Sequence, residues 1–165
     1  MSPGDEPGAD SSAGLQADAF RAALARWASG VAVVAVREEG RVLATTVSSM
    51  MSISLRPPLI ALALGPGAQV LPFLSEGRSF GVSVLAEGQQ RLAAVFADAY
   101  PVGPSPFPAE GDPFVQDVLV ALGCRVRRSE RAGDHVLVLA LVEHARLAGE
   151  RPLVRYDRGY RGLAL

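Results

Sequence analysis

The chain is short of the residues that staple or metallate small proteins. Its 165 residues include one cysteine, Cys124, and two histidines, His135 and His144. A single thiol forms no intramolecular disulfide, which fits a reducing, cytoplasmic setting. So few soft ligands argue against a zinc site within one subunit. The formal net charge is −1, which leaves no electrostatic case for nucleic acid or an anionic membrane as partner. No apolar run approaches the roughly 18 residues of a membrane span. The N-terminus shows no basic stretch followed by an apolar one, so no secretory signal is expected. No G-x-G-x-x-G follows a strand pattern and no G-x-x-x-x-G-K occurs, so a nucleotide cofactor needs another kind of site. No G-x-S-x-G elbow frames a serine.

What is present suits one domain with a real core: 49% of the residues are apolar. Residues 1–14 are mostly Ser, Gly, Pro, Ala and acidic. They offer too little apolar surface to offset chain entropy and are expected to be a disordered tail, with the domain at 15–165. Asp18 is a suitable N-cap for a helix to about residue 29, with Phe20, Leu24 and Trp27 on one face and Trp27 as a packing anchor. Gly30 ends that helix. Strands are expected at 31–36 and 41–49, joined by a Glu38-Glu39-Gly40 turn, and again at 59–64 and 79–85. One or two helical turns fit 70–75 and a helix fits 89–97, followed by a proline-rich loop at 99–113. Strands return at 118–128 and 135–142 around a polar turn at 129–134. A last hairpin turns at Asp157-Arg158-Gly159. The strand at 135–142 is apolar throughout, which predicts burial on both faces, by the core and by a partner subunit. Many strands with few helices and short turns favour a closed antiparallel barrel.

The chemistry concentrates at one stretch. Thr45, Thr46, Ser48, Ser49, Ser52 and Ser54 place six hydroxyls within ten residues, before Pro57 and Pro58 impose an extended exit. Small hydroxyl residues leave backbone N–H groups accessible and add donors of their own, which suits a planar polar ligand or a phosphate. A strand with one polar face accounts for the same residues. His135, after Gly133 and Asp134, stands either at a pocket mouth or simply exposed. Cys124, in an apolar strand, reads as an inert core thiol. Arg125, Arg127, Arg128 and Arg131 read as a solvated face.

Several blocks recur in a known order. They are Phe20-Arg21, Trp27-Ala28-Ser29-Gly30-Val31, Thr46-Val47-Ser48-Ser49, and Ser52-Ile53-Ser54-Leu55-Arg56-Pro57-Pro58-Leu59. After these come Phe80-Gly81-Val82-Ser83-Val84-Leu85, Gln89, Leu92-Ala93, Phe96-Ala97, Cys124-Arg125-Val126, Gly133-Asp134-His135 and Gly159-Tyr160. In these the chain resembles the flavin reductase family of the FMN-binding split-barrel fold, over about residues 19–163.

The resemblance implies a mainly β fold: a six-stranded antiparallel Greek-key split barrel with flanking helices, assembled as a homodimer with flavin at its interface. It implies that NADH or NADPH reduces FMN, FAD or riboflavin, and that the reduced flavin serves a separate monooxygenase. Thr46, Val47, Ser48 and Ser49 would meet the isoalloxazine edge and ribityl chain. Ser83 would lie near the flavin, and Gln89 and Phe96 near the cofactor tail. His135 would be the catalytic residue on the nicotinamide side. Relatives carry Ser-x-Thr near the flavin phosphate where this chain has Ala68-Gln69-Val70. That loss of two hydroxyls predicts an exchangeable flavin. The competing reading is a split barrel that binds flavin or another planar ligand without turnover, or that is repurposed for a different redox or biosynthetic step.

Overall fold

β-Branched and small residues build the centre of the sheet. The computed structural model describes residues 14–98, 100–149 and 151–163. All but the last residue of the tail expected over 1–14 lies outside that range. The elements run α1 (Ala17–Leu24), β1 (Ser29–Gly30), β2 (Ala32–Glu38), β3 (Arg41–Val47), β4 (Met51–Leu55) and β5 (Pro58–Leu64). They continue with a 3₁₀ turn (Leu71–Phe73), β6 (Ser79–Val84), α2 (Gln90–Ala97), β7 (Val120–Ala132), β8 (His135–Leu147), β9 (Val154–Tyr156) and β10 (Gly159–Arg161). The fold is therefore mainly β with two helices. One antiparallel sheet has the strand order β3-β2-β6-β7-β8-β5-β4, and a smaller one has β1-β9-β10.

Strand alternation divides the core in two. Val34, Val36, Val82, Leu62, Leu64, Val126, Val138 and Ala140 pack on the inner face of the large sheet. Val33, Ala35 and Ala44 point the other way, under Ala93 and Phe96 of α2. Each fully buried Val or Leu contributes roughly 1.5–3 kcal/mol. The β2–β3 hairpin turns through Glu39 and Gly40, both at positive φ, the mirror-image turn whose twist matches the strands. Its register sets Thr46 opposite Val33, and Ser83 of β6 lies opposite Val33 on the other side. Thr46 and Ser83 thus share the face that α2 covers.

A glycine pair anchors the long loop. Gly81 and Gly123 are cross-strand neighbours, with His144 next in the row. A Cβ on Gly81 would meet the Phe114 ring at 3.0 Å, and one on Gly123 would meet the His144 ring at 2.0 Å. The two rings lie over this trough edge to face, 6.0 Å apart. His144 Nε2 also reaches Asp112 Oδ2 at 3.1 Å, which ties the loop to β8.

Several local expectations are corrected. α1 starts after Gln16 rather than after Asp18, and it stops at Leu24. Asp18 sits in its first turn and pairs with Arg21 at 3.3 Å. Gly30 belongs to β1. Trp27 lies in the turn after α1 and is 74% exposed, so it is no packing anchor among the described residues. Residues 51–55 form the edge strand β4, which is exposed and alternates too weakly to be legible. The β4–β5 hairpin turns at a cis Arg56–Pro57 bond, and Pro58 opens β5 rather than an extended exit. The polar stretch 129–134 is mostly strand, since β7 and β8 run as a long ribbon that turns only at Gly133-Asp134. Within the chain β8 buries one face, and the other is the face expected to meet a partner subunit. Val138 and Ala140 are inside, whereas Leu137 is exposed and Leu139 and Leu141 are half-buried.

Candidate functional site

The end of β3 and the loop after it form one wall of a cavity of about 230 Å³. Thr45, Thr46, Val47, Ser48 and Ser49 supply that wall. Ala63, Leu64 and Gly65 at the end of β5, Ala68 after it, and His135 at the start of β8 supply the rest. β5 and β8 pair antiparallel, with Leu64 opposite Val136. That register brings His135 beside Gly65: a Cβ on Gly65 would lie 3.6 Å from His135 Nε2. Residues 70 positions apart in sequence therefore share one wall.

The hydroxyls differ in what they have left to offer. Thr46 Oγ1 donates to the Ala93 carbonyl of α2 at 2.8 Å. Ser49 Oγ donates to the Ala63 carbonyl at 2.6 Å and lies 3.3 Å from the Ala63 amide, which donates to it. Ser48 is exposed on the cavity rim. The Val47 side chain is in the inner core, so Val47 presents its backbone to the cavity. His135 Nδ1 lies 2.7 Å from Asp134 Oδ1. That hydrogen bond, with the charge of the ring, holds the Asp134 carboxyl below its ordinary range. The bond also fixes the ring so that Nε2 faces the cavity.

Six of the site residues expected from the sequence meet here: Thr46, Val47, Ser48, Ser49, Ala68 and His135. Gln69 follows Ala68 and is half-buried. Three do not join them. Ser83 is 1% exposed, and its hydroxyl accepts the Val115 amide at 3.0 Å, so it fastens the long loop beneath α2. Gln89 is the residue before α2. Its Oε1 accepts the Ala86 amide at 2.9 Å and its Nε2 donates to the Gln116 carbonyl at 3.0 Å. Phe96 packs against Phe107 at 5.5 Å. Gln89 and Phe96 line a different, apolar cavity of about 530 Å³ between α2 and the loop. Val70, at the place of the family threonine, is fully buried in the inner core. Its side chain cannot reach a ligand in the hydroxyl cavity.

Other groups fall outside the chemistry. Burial pushes the Cys124 thiol up to about 12, so it stays protonated and unreactive at neutral pH. Among the described residues no three His, Cys, Asp or Glu side chains cluster to hold a metal. No helix among them is long and apolar enough to cross a membrane. Sequence reading also missed a neighbouring wall. Ser48, Ser49 and Ala63 border a second cavity of about 930 Å³, which Arg21, Trp27, Met50, Arg155 and Arg158 help to line. The Trp27 and Gly159-Tyr160 blocks flank it in sequence, but nothing local joins α1 to the C-terminal hairpin. The Asp157 amide does so by donating to the Ala25 carbonyl at 2.7 Å.

Against known proteins, the chain matches the flavin reductase like domain family over residues 24–164. It is 42% identical to the reductase component of 4-hydroxyphenylacetate 3-monooxygenase from Thermus thermophilus, over 88% of this chain and 96% of that protein. It is 35% identical to an NADH-dependent flavin reductase from Rhodococcus, over 88% of this chain and 86% of that one. Among solved structures it is similar to the styrene monooxygenase flavin reductase of Pseudomonas putida. The TM-score is 0.81 and the identity 34%, covering 88% of this chain and 97% of that chain.

Proposed function

The chain belongs to the flavin reductase like domain family, and we infer that it uses NADH to reduce FMN or FAD for a partner monooxygenase. The observation that carries this reading is the convergence of the β3 hydroxyl run, Ala68 and His135 on one cavity. A bound flavin supplies the chemistry itself, acceptance of a hydride from NADH. The protein binds and orients. Ser48 and the backbone of Val47 and Ser49 present donors and acceptors to the polar edge of a planar ring. Thr46 keeps that wall rigid through α2. His135 Nε2, steadied by Asp134, binds the nicotinamide side. The donor set fits a flavin: hydroxyls and backbone amides without a competing carboxylate in the cavity wall. The reaction belongs in the cytoplasm, where NADH is at hand.

The order β3-β2-β6-β7-β8-β5, with Ser49 bonded to Ala63 across the seam, supports the six-stranded Greek-key split barrel. The exposed apolar residues Met51 of β4 and Leu137 of β8, on one face of the sheet with β5 between their strands, support a homodimer through that face. A stable interface needs about 800 Å² per subunit, and light scattering of the pure protein reads the mass directly. NADH oxidation by the pure protein, with and without added FMN or FAD, tests the activity. Oxidation that requires added flavin is expected. Flavin binding without oxidation would favour a barrel that binds without turnover.

A further inference from the structure

The hydroxyl cavity and its larger neighbour adjoin, since Ser48, Ser49 and Ala63 line both. The far wall of the larger cavity carries Trp27, Arg21, Arg155 and Arg158, and no aspartate or glutamate lines it. Trp27 is the chain's one tryptophan, with 74% of its surface exposed. A flat apolar ring of this size left in solvent beside cationic side chains is a stacking platform in search of a base.

The arginines differ in what already holds them. Arg21 pairs with Asp18 at the surface, 3.3 Å away. The Arg155 guanidinium lies over the Tyr160 ring, 5.0 Å from its centre. Arg158 makes no hydrogen bond or ion pair among the described residues. Its neighbour Asp157 faces Arg26 instead, at 3.8 Å. Asp157 and Arg158 stand at φ 46° and 61° without a glycine at either place. Two such residues in succession form the mirror-image turn that closes the β9–β10 hairpin, as at Glu39-Gly40. The turn sets an uncommitted guanidinium on the cavity wall.

We propose that this groove receives the ADP moiety of a dinucleotide, its base against Trp27 and its diphosphate on Arg155 and Arg158. Guanidinium groups pair with phosphate oxygens through two parallel hydrogen bonds, and a base stacks on indole whatever its edge pattern. The proposal rests on the flavin reductase reading, because that reading puts the redox ring in the adjoining hydroxyl cavity. FAD and NADH both carry an ADP moiety, so the experiment separates them.

Trp27 emission reports on the groove without a label. ADP-ribose, which has the ADP moiety and no redox ring, is titrated into flavin-free protein and followed by fluorescence and calorimetry. Saturable quenching is expected. Arg158→Ala should weaken ADP-ribose binding about tenfold, the loss of one charge-assisted contact, and Arg158→Lys should recover part of it. Arg158 is exposed at a turn tip, and unchanged melting curves check that the variants fold. A fall in FAD affinity relative to FMN in Arg158→Ala assigns the groove to the flavin. A rise in KM for NADH relative to reduced nicotinamide mononucleotide, with FAD unaffected, assigns it to the nicotinamide nucleotide. No saturable response to ADP-ribose, or equal affinity in Arg158→Ala, overturns the proposal. If FMN is still bound and reduced in that case, the reductase reading stands alone. If no flavin is bound or reduced, that reading falls separately.

Discussion

Ser49 and Ala63 complete one another across the seam between β3 and β5. The serine hydroxyl donates to the Ala63 carbonyl at 2.6 Å and accepts from its amide at 3.3 Å. One side chain stands in for a strand partner at the point where the sheet order runs out. It does so on the wall of the hydroxyl cavity, so fold closure and ligand site depend on the same atom.

Ser49→Ala removes both bonds and leaves a half-buried amide and carbonyl unpaired. The expected cost is about 1–3 kcal/mol of stability, read as a lower urea midpoint at constant slope. Flavin affinity should fall with it. A variant as stable as the parent would show that water restores the seam.

His135→Ala is expected to raise KM for NADH about tenfold, the worth of roughly one polar contact, with a smaller effect on flavin affinity. Steady-state kinetics with each substrate varied in turn separates the two. If neither parameter moves, His135 serves only the β7–β8 turn.

Ala68 lines the cavity whereas Val70 is fully buried, so the two missing hydroxyls are not equivalent. Ala68→Ser should tighten FMN by about one to two decades, from a charge-assisted bond of ~1.5–3 kcal/mol, and leave riboflavin unchanged. Val70→Thr should give no gain and should lower stability by burying a hydroxyl in an apolar core. Calorimetric titration with FMN and riboflavin checks both. A gain from Val70→Thr would show that the turn at Leu71–Phe73 rearranges on binding.

Glu143 accepts from Arg125 Nε and a terminal nitrogen at 2.7 and 3.1 Å, from β8 to β7. These bonds hold its carboxyl below the ordinary value of 4.5, with the arginine charge adding and desolvation opposing. A depressed native pKa stabilises the fold fully above the unfolded value, and the effect is lost as pH falls through the native one. The parent should therefore melt slightly above Glu143→Gln at about pH 7, and the two curves should converge as pH drops below the ordinary carboxylate range. A difference that persists in strong acid would assign the effect to packing.

Periodicity and turn residues determined much of this protein by themselves. The β-branched run after Gly30, the Glu39-Gly40 hairpin, the alternating strand around Val82 and the amphipathic α2 are all local patterns, and a local pattern constrains backbone shape. The ordered blocks, taken together, identified the family. Tertiary structure decided what depends on register and on distant partners. Ser83 looked like a site residue, yet β2–β6 pairing turned it under α2, where its hydroxyl holds Val115. Gln89 spends both ends of its amide on backbone that no local window contains. Trp27 read as core because its helical spacing is apolar, but spacing cannot say whether anything covers the face. His135, Gly65 and Ser49 share a wall only because β5 lies between β8 and the end of β3. Such adjacency is fixed by strand pairing across the whole chain, and no stretch of sequence read in isolation contains it.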